Sequence, residues 1–187
     1  MTSDLDRLTA RLALAADDAG LLDVAFTTIA TPVGPLLLAA TEQGPVRVAY
    51  TTEDHDAVLQ SLADRISPRV LHAPTRLAPA ARQLEEYFAG HRTVFDLPLD
   101  LRLSGGFRRD VLTRLRDVAY GTTASYAALA AAAGSPRAVR AVGTACATNP
   151  LPVVVPCHRV VRTDGALGGY VGGADAKRAL LSLEAAA

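Results

Sequence analysis

The chain is poor in the residues that staple, anchor or ligate. Of 187 residues only two are cysteine, Cys146 and Cys157, eleven positions apart, and that spacing makes no disulfide framework. No apolar run approaches the ~20 residues of a membrane span, and the acidic start at Asp4 and Asp6 lacks the pattern of a signal peptide. A reducing cytoplasm is therefore the expected location. Lys177 stands alone against eighteen arginines, which together with abundant alanine reads as genomic composition bias. His55, His72 and His91 are isolated, read as surface histidines, and support no metal site. What is present is half apolar, enough to bury a core in one domain or two small ones.

The formal charge is zero but unevenly spread. Residues 1–100 carry eight Arg against fourteen Asp or Glu, a net of −6, whereas residues 101–187 carry eleven basic and five acidic side chains, a net of +6. A basic half suits a polyanion whose phosphates it neutralises. The alternative is that the two halves simply attract each other.

Periodicity divides the chain further. Leu5, Leu8, Leu12, Ala15 and Ala16 predict an amphipathic helix over 3–19. Runs at 24–31, 35–41 and 46–51, separated by Pro/Gly-containing turns, predict a strand meander. Helices follow at 53–64 and 76–89, the second stopped by Gly90, and Ser104-Gly105-Gly106 reads as a linker. Beyond it Phe107, Val111, Leu112, Leu115 and Val118 form a helix stripe. A short helix at 125–132 leads to Gly134-Ser135-Pro136, where Ser as cap and Pro at the first helical position predict a second helix. Two helices about a tight turn make a helix-turn-helix.

At about 100 degrees per residue, Val139, Val142, Gly143 and Cys146 share the face opposite Arg137, while Arg140, Ala141, Thr144 and Thr148 cluster with it. That second face is small apart from its two arginines and suits a nucleic-acid groove. The helix should stop before Asn149-Pro150. Val153-Val154-Val155 predicts a buried strand closed by Pro156. Gly168-Gly169-Tyr170-Val171-Gly172-Gly173 predicts a loop able to approach a flat ligand, and a last helix is expected at 174–184.

Pro156-Cys157-His158-Arg159-Val160-Val161 carries the chemistry. An imidazole that draws off a thiol proton raises the thiolate fraction, although a cysteine is more often an inert core residue. The ordered set Ser125-Tyr126, Arg140-Ala141-Val142-Gly143, Asn149-Pro150, Pro156-Cys157-His158-Arg159-Val160 and the Gly-Tyr-x-Gly-Gly loop, spread over 107–184, closely resembles the 6-O-alkylguanine-DNA alkyltransferases. The strand meander and the helix ending Tyr87-Phe88-Ala89-Gly90 look like the domain that precedes the catalytic one in that family; residues 1–21 fall outside the resemblance.

The resemblance implies an α+β chain: an extension at 1–21, a ribonuclease-H-like α/β domain at 22–103, and a mostly helical winged helix-turn-helix DNA-binding domain at 104–187. It implies a monomer, with cooperative binding of several copies on DNA left open, that binds duplex DNA, flips out 6-O-alkylguanine and transfers the alkyl group to its own cysteine in one irreversible turnover, without cofactor or metal. Some relatives hold zinc through N-terminal Cys and His, and this chain has no cysteine before 146. By the same likeness Cys157 is the acceptor, His158 takes its proton through a water, Glu184 orients the imidazole, Asn149 braces the turn and Tyr126 donates to the flipped base. Arg140 replaces the extruded base in the stack, with Ala138, Ala141, Ser125 and Thr144 at the DNA. Pro152, Val160, Tyr170 and Val171 wall the pocket.

Departures from the family pattern fall at Thr144, Val139 and Ala147, which weaken or reshape groove contact, at Arg108 and Leu112, and at Cys146, where core filling or room for bulkier alkyl groups are both open. A non-catalytic lesion sensor of the same fold, or a Cys-His hydrolase, are the competing functions. The transferase reading requires a sulfur that an everted base can reach and a His158 in contact with Glu184.

Overall fold

The computed structural model describes residues 4–185 and divides into two compact units, one running to Gln83 and including Leu97–Asp100, the other taking Leu84–Asp96 and everything from Leu101 onward. The first unit opens with α1 (Asp4–Asp18); position 3 of the predicted helix and the side chain of Leu5 lie outside the described residues. α1 buries Ala13 and exposes Leu8, Leu12 and Leu14. Strands β1 (Val24–Ile29), β2 (Leu36–Thr41) and β3 (Gly44–Tyr50) form the expected antiparallel meander. Helix α2 (His55–Arg65) then crosses to β4 (Val70–His72), which pairs parallel to β1, so the sheet order is β3-β2-β1-β4. β4 is a strand the sequence reading did not predict, being only three residues long. Every residue of β2 is buried, as befits a central strand covered on both faces. At the β2–β3 turn Gly44 has φ +123°, and a Cβ there would lie 1.9 Å from Pro98 O.

Helix α3 (Pro74–Phe88) gives its last turn to the second unit. That unit continues with α4 (Phe107–Leu115), β5 (Ala124–Ser125), α5 (Tyr126–Ala132), α6 (Val139–Ala147), a 3-10 turn at Cys157–Arg159, β6 (Val160–Val161) and α7 (Gly173–Ala185). β5 and β6 pair in parallel, a two-residue ladder also absent from the sequence reading. α4 ends three residues before the predicted Val118. Val111, Leu112, Leu115, Leu129, Ala130, Val142, Ala145 and Cys146 close the core between α4, α5 and α6.

Three expectations are corrected here. α6 begins at Val139 and not at Pro136, because Ala138 N–H donates to Ser135 O (2.8 Å) and closes residues 135–138 into a separate turn. Val139, expected in the core, is 37 % exposed, at the helix start where the stripe has not yet turned inward. Val153-Val154-Val155 is buried as predicted but is no strand. Pro150, Pro152 and Pro156 remove the N–H groups a ladder needs, Val155 N–H donates to Leu151 O (2.8 Å), and Val153 adopts φ +72°. Left-handed backbone at a β-branched residue costs about 1–3 kcal/mol; the surrounding bonds hold it.

Candidate active site

Cys157 opens the 3-10 turn that follows this proline-rich segment, rather than ending a strand. Asn149, just beyond α6, ties the segment together: its Oδ1 accepts from Leu151 N–H (3.0 Å), and its Nδ2 donates to Val155 O (2.8 Å) and to Cys157 Sγ (3.1 Å). One buried amide thus ties together the loop and the sulfur.

His158 faces Glu184 of α7, with Nε2 to Oε1 at 2.8 Å and both side chains buried. Arg159 grips the same carboxylate through Nε to Oε2 and Nη2 to Oε1, each 2.9 Å, while its Nη1 donates to Val118 O (2.6 Å). Tyr87 Oη donates to Glu184 Oε1 (2.7 Å), and Gly121 N–H donates to Oε2 (3.2 Å). Burial alone would raise Glu184, but the bonds from His158, Arg159 and Tyr87 outweigh it and hold the carboxyl down at about 2. Burial lowers His158 despite its carboxylate partner. The imidazole is therefore neutral beside an ionised Glu184, which assigns the proton to Nε2 and leaves Nδ1 as a base. Nδ1 is buried and has no hydrogen-bond partner within the protein.

The thiol is not pre-ionised. Burial pushes Cys157 up to about 11 against the downward pull of the Asn149 amide and the Lys177 charge. Nor is the sulfur open to solvent, since Cys157 is 1 % exposed; access requires a pocket wall to move. Lys177, the lone lysine, is fully buried, donates to Val160 O (2.6 Å) and Leu167 O, and has its pKa lowered by desolvation.

Tyr126 packs against the glycine loop. Burial raises the Tyr126 phenol. Gly168 has φ +66°, and a Cβ there would lie 2.7 Å from Tyr126 Oη, so only glycine lets the loop close onto the phenol. Tyr170 sets its ring edge-on to His158 at 6.3 Å. Pro152 and Val160 are buried and Val171 half-buried. Beside Tyr126 a cleft of about 340 Å³ is lined by Ala127, Val139, Arg162, Thr163 and Asp164.

Ser125 caps α5, its Oγ accepting from Ala128 N–H (3.1 Å). Arg137 is exposed in the turn before α6, Ala138 stands at the helix start, and Arg140, Ala141 and Thr144 are exposed along the helix. Thr144 Oγ1 turns back to Arg140 O (3.2 Å). Cys146 is core, with its thiol pushed up to about 12 by burial and by Cys157. The sequence reading missed Arg159, Tyr87 and Lys177. Arg159 had a signal, adjacency to the Cys-His pair; Tyr87 lies 70 positions from Cys157 and had none. Among the described residues no three His, Cys, Asp or Glu side chains cluster as metal ligands would.

The helix pair α5 and α6 and a buried Cys157, His158 and Glu184 lie in one unit, the make-up of a DNA-binding domain that carries a cysteine site. The chain belongs to the 6-O-methylguanine DNA methyltransferase family: residues 106–186 match the DNA-binding domain of that family and residues 24–101 its ribonuclease-like domain. The constitutive methylated-DNA-protein-cysteine methyltransferase of Bacillus subtilis is 41% identical over 163 residues, 85% of this chain and 94% of its own length. The crystal structure of the Mycobacterium tuberculosis O6-methylguanine methyltransferase superposes with a TM-score of 0.77 at 38% identity, covering 87% of this chain and 93% of that one. The M. tuberculosis protein in complex with DNA gives 0.74 over the same shares. Tyr87 falls inside the ribonuclease-like match although it packs with the second unit.

Proposed function

We propose that the chain repairs duplex DNA by direct reversal, moving the alkyl group of 6-O-alkylguanine onto Cys157 in a single irreversible turnover. The observation that carries this is the buried relay Glu184–His158 at 2.8 Å beside a thiol held by Asn149 at 3.1 Å. A base stacked in a duplex cannot present oxygen-6 for in-line attack, so it is extruded. Arg140, exposed on α6, fills the vacated stack with a planar cation, while Ser125, Ala138, Ala141 and Thr144 carry the DNA backbone. The glycine loop gives way, and the base enters between Tyr126 and Tyr170, walled by Pro152, Val160 and Val171.

The thiol proton then passes through a water to His158 Nδ1, and the imidazolium is stabilised by Glu184. Sulfur attacks the alkyl carbon; the S–C bond forms as the O–C bond breaks, and the departing guanine, held by a hydrogen bond from Tyr126, takes up the proton that the thiol gave to His158. The thioether has no leaving group, which makes the event terminal. Residues 1–21 serve as an extension, 22–103 as an accessory domain and 104–187 as the catalytic domain. The protein acts as a monomer in a reducing cytoplasm, where Cys157 stays a thiol.

The test is intact-protein and peptide mass after incubation with duplex DNA carrying labelled methyl on guanine oxygen-6. Stoichiometric label on Cys157, lost in Cys157→Ala while DNA binding persists, is expected. Tight binding without label would mean a sensor, and repeated ester or amide cleavage a hydrolase.

A further inference from the structure

We propose that Tyr87 is a positioning residue of alkyl transfer, its buried hydroxyl holding the Glu184 carboxylate where it aligns His158. The inference rests on Cys157 being the alkyl acceptor. Tyr87 is fully buried, donates to Glu184 Oε1 at 2.7 Å and lies 3.5 Å from His158 Nε2. Its ring is locked by Phe88 and Phe95, each 5.3 Å between centroids, and by Tyr120 at 6.0 Å. With the ring immobile, the phenol has one pose.

The carboxylate needs such a donor because of what else it holds. Arg159 clamps both oxygens, which fixes the plane of the carboxylate but neutralises the charge that should stabilise the imidazolium. A phenol directs Oε1 without adding positive charge. Tyr87 keeps its proton throughout, since burial and the Glu184 charge both push its pKa far up. The groups facing His158 and Glu184 are Tyr87 from α3, Tyr120 and Gly121 N–H from the segment after α4, Cys157 and Arg159 from the 3-10 turn, Tyr170 from the glycine loop and Lys177 from α7.

Losing the phenol leaves a more basic carboxylate, which raises the imidazole's affinity for a proton. The acid limb of the rate profile should therefore move to higher pH. The experiment compares single-turnover transfer from methylated duplex DNA to Cys157 in the wild type, Tyr87→Phe, Glu184→Gln and the double variant, as a function of pH. Tyr87→Phe should transfer roughly tenfold more slowly, part of the ~10²–10⁴ that a placed base supplies, with DNA affinity unchanged and the acid limb shifted upward. In the Glu184→Gln background the same change should cost about twofold or less, because the partner is already gone.

An unchanged rate and limb, or an equal loss in both backgrounds, would overturn the proposal and reduce Tyr87 to packing. Should Tyr87→Phe fail to fold, a ring-difluorinated tyrosine at position 87 keeps shape and hydroxyl. As a stronger donor it should move the limb to lower pH, and no movement refutes the idea. A wild type that transfers nothing sinks the activity itself, whereas transfer at full rate in Tyr87→Phe sinks only the role of Tyr87.

Discussion

At Glu184 one carboxylate receives five hydrogen bonds, from His158, Tyr87, Gly121 and two nitrogens of Arg159. Its replacement by glutamine leaves the buried Arg159 charge without a counter-ion, a class of change that costs about 3–5 kcal/mol. Glu184→Gln should lower the urea midpoint accordingly and abolish most transfer. The pH dependence has a definite sign. Glu184 is held near 2 against an ordinary 4.5, so its contribution is complete above about pH 4.5 and disappears as pH falls toward 2. His158, lowered from 6.5, also removes stability as pH falls below that value, because only the unfolded chain then takes the proton. Cys157, raised from 9.0 to about 11, removes it on the alkaline side between those values. Urea titrations across pH should show the acid loss and its reduction in Glu184→Gln. At this scale Cys157, His158 and Asn149 stood out because they sit in an ordered motif, whereas Glu184 was named only through the family resemblance. Tyr87 was not legible: its role depends on α3 and α7 meeting, and no local pattern encodes that.

Among the elements, the loop from Gly168 to Gly173 is where sequence and geometry agree most closely. Four glycines predicted a loop able to approach a flat ligand, and the structure packs Gly168 against the Tyr126 hydroxyl. Gly168→Ala combines φ +66° with a Cβ 2.7 Å from that atom. It should destabilise by about 1–3 kcal/mol and slow transfer by displacing Tyr126, measurable by thermal unfolding and single-turnover rates. Gly44→Ala, whose Cβ would meet backbone Pro98 O at 1.9 Å, should destabilise at least as strongly, a comparison that separates strain at the pocket from strain elsewhere. Helices with full apolar stripes were legible to within a few residues. The segment 151–156 was misread because β-branched composition reports burial as well as strand, and here prolines and the Asn149 side chain satisfy the backbone without a sheet.

For the whole molecule, the net charge of zero conceals the part that meets DNA. Arg140 is exposed on α6 and Arg137 in the turn before it, and Arg108, Arg109, Arg114, Arg116, Arg162 and Arg178 are exposed elsewhere in the second unit. DNA affinity should fall linearly with the logarithm of salt concentration, and Arg137→Ala should flatten that slope by about 1 if it contacts one phosphate. A slope near zero in the wild type would remove phosphate contact from the account.

The tight enclosure of the Cys157 sulfur reaches beyond catalysis. Cys157 is 1 % exposed and its sulfur accepts from Asn149, so a methyl group added there crowds its neighbours, and overpacking of this kind costs about 1–3 kcal/mol. The alkylated form should melt several degrees lower than the fresh one in a calorimeter. Each molecule would then carry a record of having acted, readable as fragility by any protease that samples open conformations, so that used copies are cleared first without a dedicated tag.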